Sequence, residues 1–434
     1  MLIAGKKTGE VMENISALIS EKRKLLGITQ KEFADAIGLG LDGDRQIRSW
    51  ENGEHRPSKE YLNKILAFAP VSPFYQNPKK KYNFSFIDLF AGIGGIRIPF
   101  QEIGGFCSFT SEWDKFAQKT YKINFGHEPH GDITKLHSSN IPDHDVLLAG
   151  FPCQAFSQAG LKKGFEDTRG TLFFEVQKIL VHKRPCAFLL ENVKQLKGHD
   201  GGRTLQTILD TLRGVVRIDK AELEKMEMSA EAKTALKTKL NYWVGYKVLK
   251  ANDFGVPQKR ERIYIVGFDK DQFSENFDFE KNFLFPKPLN EKTKLGTILE
   301  KNKFLDPKYT LSDRLWKGHQ QRKLMHIQKG NGFGFSLFNK NSEYSNTISA
   351  RYYKDGSEIL IDQSELRINP RKLTPRECAR LQGFPEEFVI PVSDSQAYKQ
   401  FGNSVSVPVI RAVSQEMYKT LKKGNVLQYL RGQQ

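Results

Sequence analysis

The sequence predicts an α/β fold built on a parallel sheet and preceded by an all-α N-terminal domain. Three observations carry this. Between Phe84 and Phe268 the apolar runs "FSFIDLFAG", "FCSFTSEW", "HDVLLAGF", "CAFLLEN", "YKVLKAND" and "RIYIVGF" alternate with stretches of helical pattern, as chained βαβ units do. Residues 12–70 read instead as consecutive short helices. Across 270–372 the alternation fades into a segment rich in Asn, Lys, Phe and Gly, and strong helical periodicity returns over 373–425.

Each element has a local reason. "ENISALISEKRKLLGIT" is amphipathic and stops at Gly27, and "TQKEFADAIG" runs from a Thr N-cap to Gly38. "GDRQIRSWENG" closes at Gly53, and "SKEYLNKILAFA" starts at Ser58 after a proline. These are the start and stop signals of helices. The Pro- and Lys-rich "VSPFYQNPKKKYN", residues 71–83, reads as a linker. The α/β stretch spans 84–269 and is interrupted by "RIDKAELEKMEMSAEAKTALKTKLNYW", expected as a charged helical insertion on the surface. "LTPRECARLQGFP" and "AYKQFGNSVSVPVIRAVSQEMYKTL" then supply helices that return to the α/β domain.

A chain of 434 residues with 39% hydrophobic and 27% charged content holds two to three ordinary globular domains. Its 67 Lys and Arg against 50 Asp and Glu leave a net charge of +17. Such an excess points to a polyanion, nucleic acid first, although a generically basic bacterial protein has the same balance. The four cysteines form no CxxC pair and, with nine scattered histidines, no metal-ligand cluster. No metal and no disulfide framework are expected, and a reducing compartment fits best. "MLIAGKKTGE" is too short an apolar start for a signal peptide, and no window reads as a membrane span. A soluble intracellular chain with no membrane partner is the expectation.

"FIDLFAGIGG", residues 86–95, runs a strand into a glycine-rich turn and then a helix. That is how backbone comes close to a nucleotide-like ligand, although tight-turn glycines without a ligand look the same. Glu112, at the end of the next strand candidate, has the acceptors for ribose hydroxyls; Trp113 has a face for adenine, and Asp132 in "GDI" an acceptor for the adenine amino group. With no GxGxxG spacing, an adenosine-bearing ligand is favoured over a dinucleotide. In "GFPCQAFSQAG", residues 150–160, Cys153 closes a strand candidate, where open α/β sheets bind ligands. The position suits a nucleophile, whereas the residue type alone is more often core. "FSQAGLKKGF" behind it reads as a lid. Glu191, ending the apolar "LLENV", is costly to bury without a task, such as sharing a proton with a ring nitrogen. Gln258, Arg260 and Arg262 in "QKRER" share one face of a strand by period-two spacing, either functional or a solvated edge.

Together "FAGIGG", "EWD", "GDI", "GFPCQAFS", "GTLFFE", "ENV", "QKRER", "RECARLQGFP" and "QFGNSV" resemble, in order and across nearly all of 84–425, the successive motifs of the C5-cytosine DNA methyltransferase family. The resemblance implies a Rossmann-like S-adenosylmethionine-dependent methyltransferase domain over 84–269, completed by 373–425, with a smaller irregular target-recognition domain at 270–372. It implies Cys153 as the nucleophile toward C6 of a flipped-out cytosine and Glu191 at ring N3. Arg260 would hold the carboxylate and base, with Arg262 beside it. Cofactor contacts fall on Phe86, Asp88, Gly92, Gly94, Glu112, Trp113, Asp132, Ile133, Pro152, Asn403 and Ser404. A lid around Ser157–Thr168 closes on the base, with Ser157 and Gln158 toward DNA.

"GNGFGFSLFN" and "NTISARYYKDGSEILI" resemble the Dcm-type subgroup, whose members methylate CCWGG-like or CCNGG-like sites. Arg351 and Lys354 there have donors for guanine O6 and N7, or equally for phosphates. "TQKEFADAIG…RQIRSWENGEHRPS" resembles the phage-repressor helix-turn-helix, which implies Arg45, Gln46 and Arg48 in a major groove. The implied partner is double-stranded DNA, with promoter DNA for the N-terminal domain. A monomer on the methylation site and a dimer through that domain are expected, in the bacterial cytoplasm at the nucleoid. Two other readings are a transcription regulator with a degenerate enzyme domain and a tRNA methylase. The intact chemical positions argue against the first, and the long recognition region with its helix-turn-helix against the second.

Overall fold

The computed structural model describes residues 15–20, 22–23, 29–40, 42–67, 72–152, 172–215, 228–289, 291–300 and 305–427. Strands β1 (Phe84–Leu89), β2 (Gly105–Ser111), β3 (Val146–Ala149), β4 (Ala187–Val193), β5 (Tyr242–Lys250) and β6 (Glu261–Asp269) form one sheet in the order β2-β1-β3-β4-β6-β5. The first four are mutually parallel, and β6 runs antiparallel to both β4 and β5. The sheet is therefore mixed, where the sequence alternation suggested an all-parallel one. The reason is the connection: residues 251–260, too few for a crossover helix, join β5 to β6 and turn the chain straight back.

Alternate strand residues feed opposite faces. Ile87, Leu89, Leu147, Ala149, Phe188 and Leu190 enter a cluster with Phe173, Val176 and Ile179 of helix Leu172–Lys183 and Ile208 and Leu212 of helix Arg203–Leu212. Phe84, Phe86, Val146, Leu148, Ala187 and Leu189 meet Phe100 and, from helix Val407–Gly424, Val409, Ile410, Val413, Met417 and Leu421. Both faces are covered, so the strands read as near-continuous apolar runs. The C-terminal helix is thus a wall of the α/β layer.

Two further differences concern the insertion. β5 opens at Tyr242 and Trp243, residues that the helical pattern had absorbed. Helix Ala230–Ala235 is not a surface appendage: Ala232 and Leu240 join the core, and the Ser229 N–H and hydroxyl donate to Glu175. Glu175 in turn pairs with buried Lys178 at 2.7 Å. Two long polar side chains under the insertion fix where it docks.

The described part of 270–372 has little regular structure beyond helix Asp313–Gln328 and the two-residue strands β7 (Leu337–Phe338) and β8 (Leu360–Ile361), paired in parallel. Tyr352 anchors it: buried, its hydroxyl donates to Ile359 O at 2.7 Å and accepts from Leu373 N–H at 2.8 Å.

The chain divides into two compact units. One takes in the N-terminal residues through Tyr75 with Lys119–Glu128 and Glu387–Ser393, and the other takes in the remainder. Within the first, helix Gln30–Ala36 starts in a capping box of Thr29 and Glu32, a motif contributing about 1 kcal/mol. Helix Gly43–Glu51 follows with Ile47 and Trp50 inward. At Gly43 a Cβ would lie 2.7 Å from Leu39 Cβ and 2.8 Å from Ala34 Cβ, so only glycine lets the two helices come this close. Glu51 receives Arg23 and Gln30, while Arg45, Gln46 and Arg48 are exposed on the outer face. Among the described residues no helix is long and apolar enough to cross a membrane.

Candidate active site

The sheet order reverses around β1, which has β2 on one side and β3 on the other. In open α/β sheets such a switch point opens a crevice at the carboxyl ends of the strands. β1 leaves the sheet through Phe90 (φ +52°), Gly92 (φ +55°) and Gly94 (φ +83°); the left-handed backbone costs nothing at the two glycines and about 1–2 kcal/mol at Phe90. The Gly92 N–H donates to Glu112 Oε2 and the Asp114 N–H to Glu112 Oε1, each at 2.8 Å. Burial pushes the Glu112 carboxyl above its ordinary value, opposed by the donors at Asp114 and Gly92. A Cβ at Gly92 would meet nothing within 4 Å, whereas one at Gly95 would sit 2.8 Å from Ser404 Oγ. The glycine turn is therefore an open concavity on one side and sealed by the "QFGNSV" loop on the other.

Around this concavity the expected cofactor residues separate. Trp113 is 78% exposed beside Glu112, Asp132 is half-buried with Oδ1 held by Thr134, and Asn403 is exposed next to half-buried Ser404. Asp88 is fully buried in β1. The exposed indole, the anchored carboxylate and the concavity fit an adenosyl group. Two expectations need correction. Phe86 is a core residue, its ring 5.8 Å from that of Phe100 on the face under the C-terminal helix; the aromatic at the rim is Phe90, half-buried just before the glycines. The Ile133 side chain lies in the core with Phe109 and Ile141, so only its backbone is available to a ligand. Phe90 was legible as the aromatic nearest the turn.

Cys153, Ser157 and Gln158, with the rest of the Ser157–Thr168 lid, lie outside the described residues. The approach to Cys153 is described. β3 continues through Gly150 and Phe151 to half-buried Pro152. A Cβ at Gly150 would be 3.7 Å from Glu191 Oε2, and Asn192 Nδ2 donates to Phe151 O at 3.2 Å. The end of β4 therefore holds the chain just beyond β3 directly, through Asn192 of the "ENV" triplet, a residue given no role of its own in the sequence.

Glu191 is buried, with Arg262 Nε 3.2 Å from Oε1. Burial pushes its carboxyl above the ordinary value, against the opposing charges of Arg262 and Arg260. The ion-pair partner is Arg262, not Arg260 as expected: the buried Arg260 guanidinium donates instead to backbone carbonyls of Ile348, Gly402 and Ser404. The "QKRER" residues also do not share a strand face, because β6 begins only at Glu261. Gln258 and Arg260 lie before it, in two successive tight turns closed by Gln258 N–H to Val256 O and Arg260 N–H to Gln258 O. Arg351 and Lys354 are exposed on the turn that follows Ala350.

The comparisons with known proteins agree with this geometry. Residues 84–215 and 223–419 match the C-5 cytosine-specific DNA methylase family, and residues 19–76 match a helix-turn-helix family. The chain is 57% identical over 410 residues to the Type II methyltransferase M1.ScrFI of Lactococcus lactis subsp. cremoris, covering 94% of this chain and 96% of that one. It is 55% identical to the Type II methyltransferase M.SsoII of Shigella sonnei, covering 94% and 99%. The DNA-cytosine methyltransferase of Escherichia coli (strain K12) is 40% identical, covering 86% and 85%. Among solved structures, the Entamoeba histolytica methyltransferase EhMeth shares the fold, with a TM-score of 0.59 at 18% identity, covering 79% of this chain and 99% of that one. A concavity beside an anchored carboxylate, a buried Glu–Arg pair at the neighbouring strand ends and matches over most of the chain lead to one assignment: this protein belongs to the C-5 cytosine-specific DNA methylase family and, like its members, is an S-adenosylmethionine-dependent DNA cytosine methyltransferase.

Proposed function

We propose that Cys153 is the nucleophile and Glu191 the proton-holding group, acting on a cytosine turned out of duplex DNA at a CC-x-GG-like site. The observation that supports this best is the Glu191 carboxyl. It is buried, paired with Arg262 and in van der Waals range of a Cβ at Gly150, three residues before the thiol. In the reaction the Cys153 thiolate forms a bond to C6, and the C5=C6 electrons move toward N3. Glu191, whose proton affinity burial raises, places its proton at N3 so that no full charge accumulates on the ring. Bound S-adenosylmethionine would supply an electrophilic sulfonium methyl group, with the glycine turn and Glu112 available to hold its adenosyl part. The enamine-like C5 would form the new carbon–carbon bond as the methyl–sulfur bond breaks, N3 would return its proton to Glu191, and loss of the C5 proton to a base would re-form the double bond and expel the thiolate. Glu112 and Trp113 orient the adenosyl group, and Asn192 holds the strand end that presents the thiol.

A duplex carrying 5-fluorocytosine at the target traps the adduct, because fluorine does not leave as a proton. Adduct formation undiminished in Cys153→Ala would refute the assignment. The target motif rests on the likeness of 330–339 and 346–361 to the Dcm-type subgroup. Bisulfite mapping of DNA from expressing cells tests it, and methylation confined to an unrelated motif rejects it.

The Type II relatives support a place in a restriction–modification system. The exposed Arg45, Gln46 and Arg48 support promoter binding and autoregulation by a dimer of the N-terminal domain. Footprinting the promoter upstream of the coding sequence reads this out, and an unprotected promoter leaves only non-specific DNA affinity.

A further inference from the structure

Gln258 and Arg260 are buried polar side chains that the chemistry above leaves unused, and both are directed at the backbone of one residue, Ile348, far away in sequence. The Ile348 N–H donates to Gln258 Oε1 at 3.1 Å, and the Ile348 carbonyl accepts from Arg260 Nη1 at 3.1 Å. Gln258 Nε2 is tied back to Leu381 O at 3.0 Å and to Gln382 Oε1 at 3.1 Å. Arg260 Nη2 reaches the carbonyls of Gly402 and Ser404, in the loop that seals the glycine turn. The backbone between them is laced to the same segment: Lys259 N–H donates to Ser345 O, Ser345 N–H to Pro257 O, and Thr347 Oγ1 to Lys259 O.

A separate, steric contact adds to this. A Cβ at Gly402 would lie 2.3 Å from the Ser349 carbonyl and 2.4 Å from Ala350 N, so the end of helix Asp394–Asn403 rests directly on the 349–350 peptide. The next residues form the turn that exposes Arg351 and Lys354 and buries Tyr352.

We propose that Gln258, Arg260 and Gly402 form a clamp on the Ile348–Ala350 backbone that fixes the Arg351–Lys354 turn against the Ser404 loop, making them positioning residues for target discrimination. The inference rests on reading that turn as base-contacting. Three carbonyls in different directions call for the planar fork of arginine rather than a lysine ammonium. Bidentate contacts to base edges lose their selectivity when the backbone that carries them shifts by a fraction of an ångström. A clamp on the two peptides that flank Ile348, a single residue before Ser349 begins the turn, supplies that fixity.

The test uses the full-length protein with S-adenosylmethionine, and compares Gln258→Met, which deletes the acceptor for Ile348, with Gly402→Ala, which removes no hydrogen bond and only pushes on the turn. Rates are expressed per site titrated by 5-fluorocytosine duplex, so that any misfolded fraction drops out. They are measured on the target duplex and on duplexes with one outer base pair changed. Both variants are expected to lower the ratio of kcat/KM between target and altered duplex by roughly tenfold and to raise KM for DNA. Arg260→Lys is expected to do the same and also to weaken S-adenosylmethionine binding, through the Ser404 carbonyl. Discrimination and KM within twofold of the parent in both Gln258→Met and Gly402→Ala, whatever happens to melting temperature, would overturn the clamp. A parent enzyme that methylates all these duplexes alike would instead overturn the reading of the turn itself, and the clamp with it.

Discussion

Glu112 and Glu191 sit at carboxyl ends of the same sheet, both buried and both pushed upward in pKa by that burial, yet their surroundings differ. Glu112 is held by two backbone N–H groups, neutral donors that fix its oxygens in place. Glu191 faces the Arg262 guanidinium, and its buried Oε1 has no hydrogen-bond partner. A carboxylate saturated by backbone is an orienting acceptor, whereas one balanced between burial and a cation can hold or release a proton. With the roles proposed above, the comparison would divide the crevice into a half that binds and a half that reacts.

The strongest way to break this division is Glu191→Gln. A fall in kcat on the order of 10²–10⁴ is expected, with S-adenosylmethionine affinity, measured by equilibrium dialysis, within twofold of the parent. A large loss of cofactor binding would show that the two halves are not separate. Next comes Glu112→Ala, expected to raise KM for S-adenosylmethionine at least tenfold while kcat at saturation changes less; a purely kcat effect would reverse the roles. Smaller again is Gly95→Ala, whose Cβ falls on Ser404 Oγ. It should weaken cofactor binding severalfold by lifting the sealing loop, read by the same dialysis.

The least effect is on pH-dependent stability. With its folded pKa raised, Glu191 binds its proton more tightly in the folded chain than in the unfolded one. Its contribution is full below the unfolded value near 4.5 and is lost as pH rises through the folded value. Chemical denaturation at stepped pH should therefore show Glu191→Gln gaining on the parent as pH rises across that window, by at most about 1.4 kcal/mol per pH unit. An unchanged difference would place the carboxyl at its ordinary pKa.

Much of this was legible in the sequence, for reasons that also explain the failures. Glu191 stood out because an acid at the end of four apolar residues has to be compensated, and the glycines after "FIDLF" because a strand entering a helix there needs left-handed backbone. The exchange of Phe86 for Phe90 has a simple origin: both are aromatic in one strand segment, and only three-dimensional packing tells the residue under the C-terminal helix from the one at the rim. Arg260 and Arg262 were placed on one face because parity along a strand is reliable only inside the strand. Two tight turns at 256–260 keep Gln258 and Arg260 outside the strand, turned to Ile348 rather than to Glu191, and no residue-type signal announces them. The reversal of β6 was hidden in the length of a connection rather than in any side chain, and the burial of the insertion in the pairing of Glu175 with Lys178.

The seal between Gly95 and Ser404 joins parts of the polypeptide separated by most of its length. During synthesis the partner at position 95 is made first and waits for its counterpart until residue 404 has been added. Fragments that stop short of residue 404 thus lack one side of the glycine turn, and residues 270–372 are made before that side is complete.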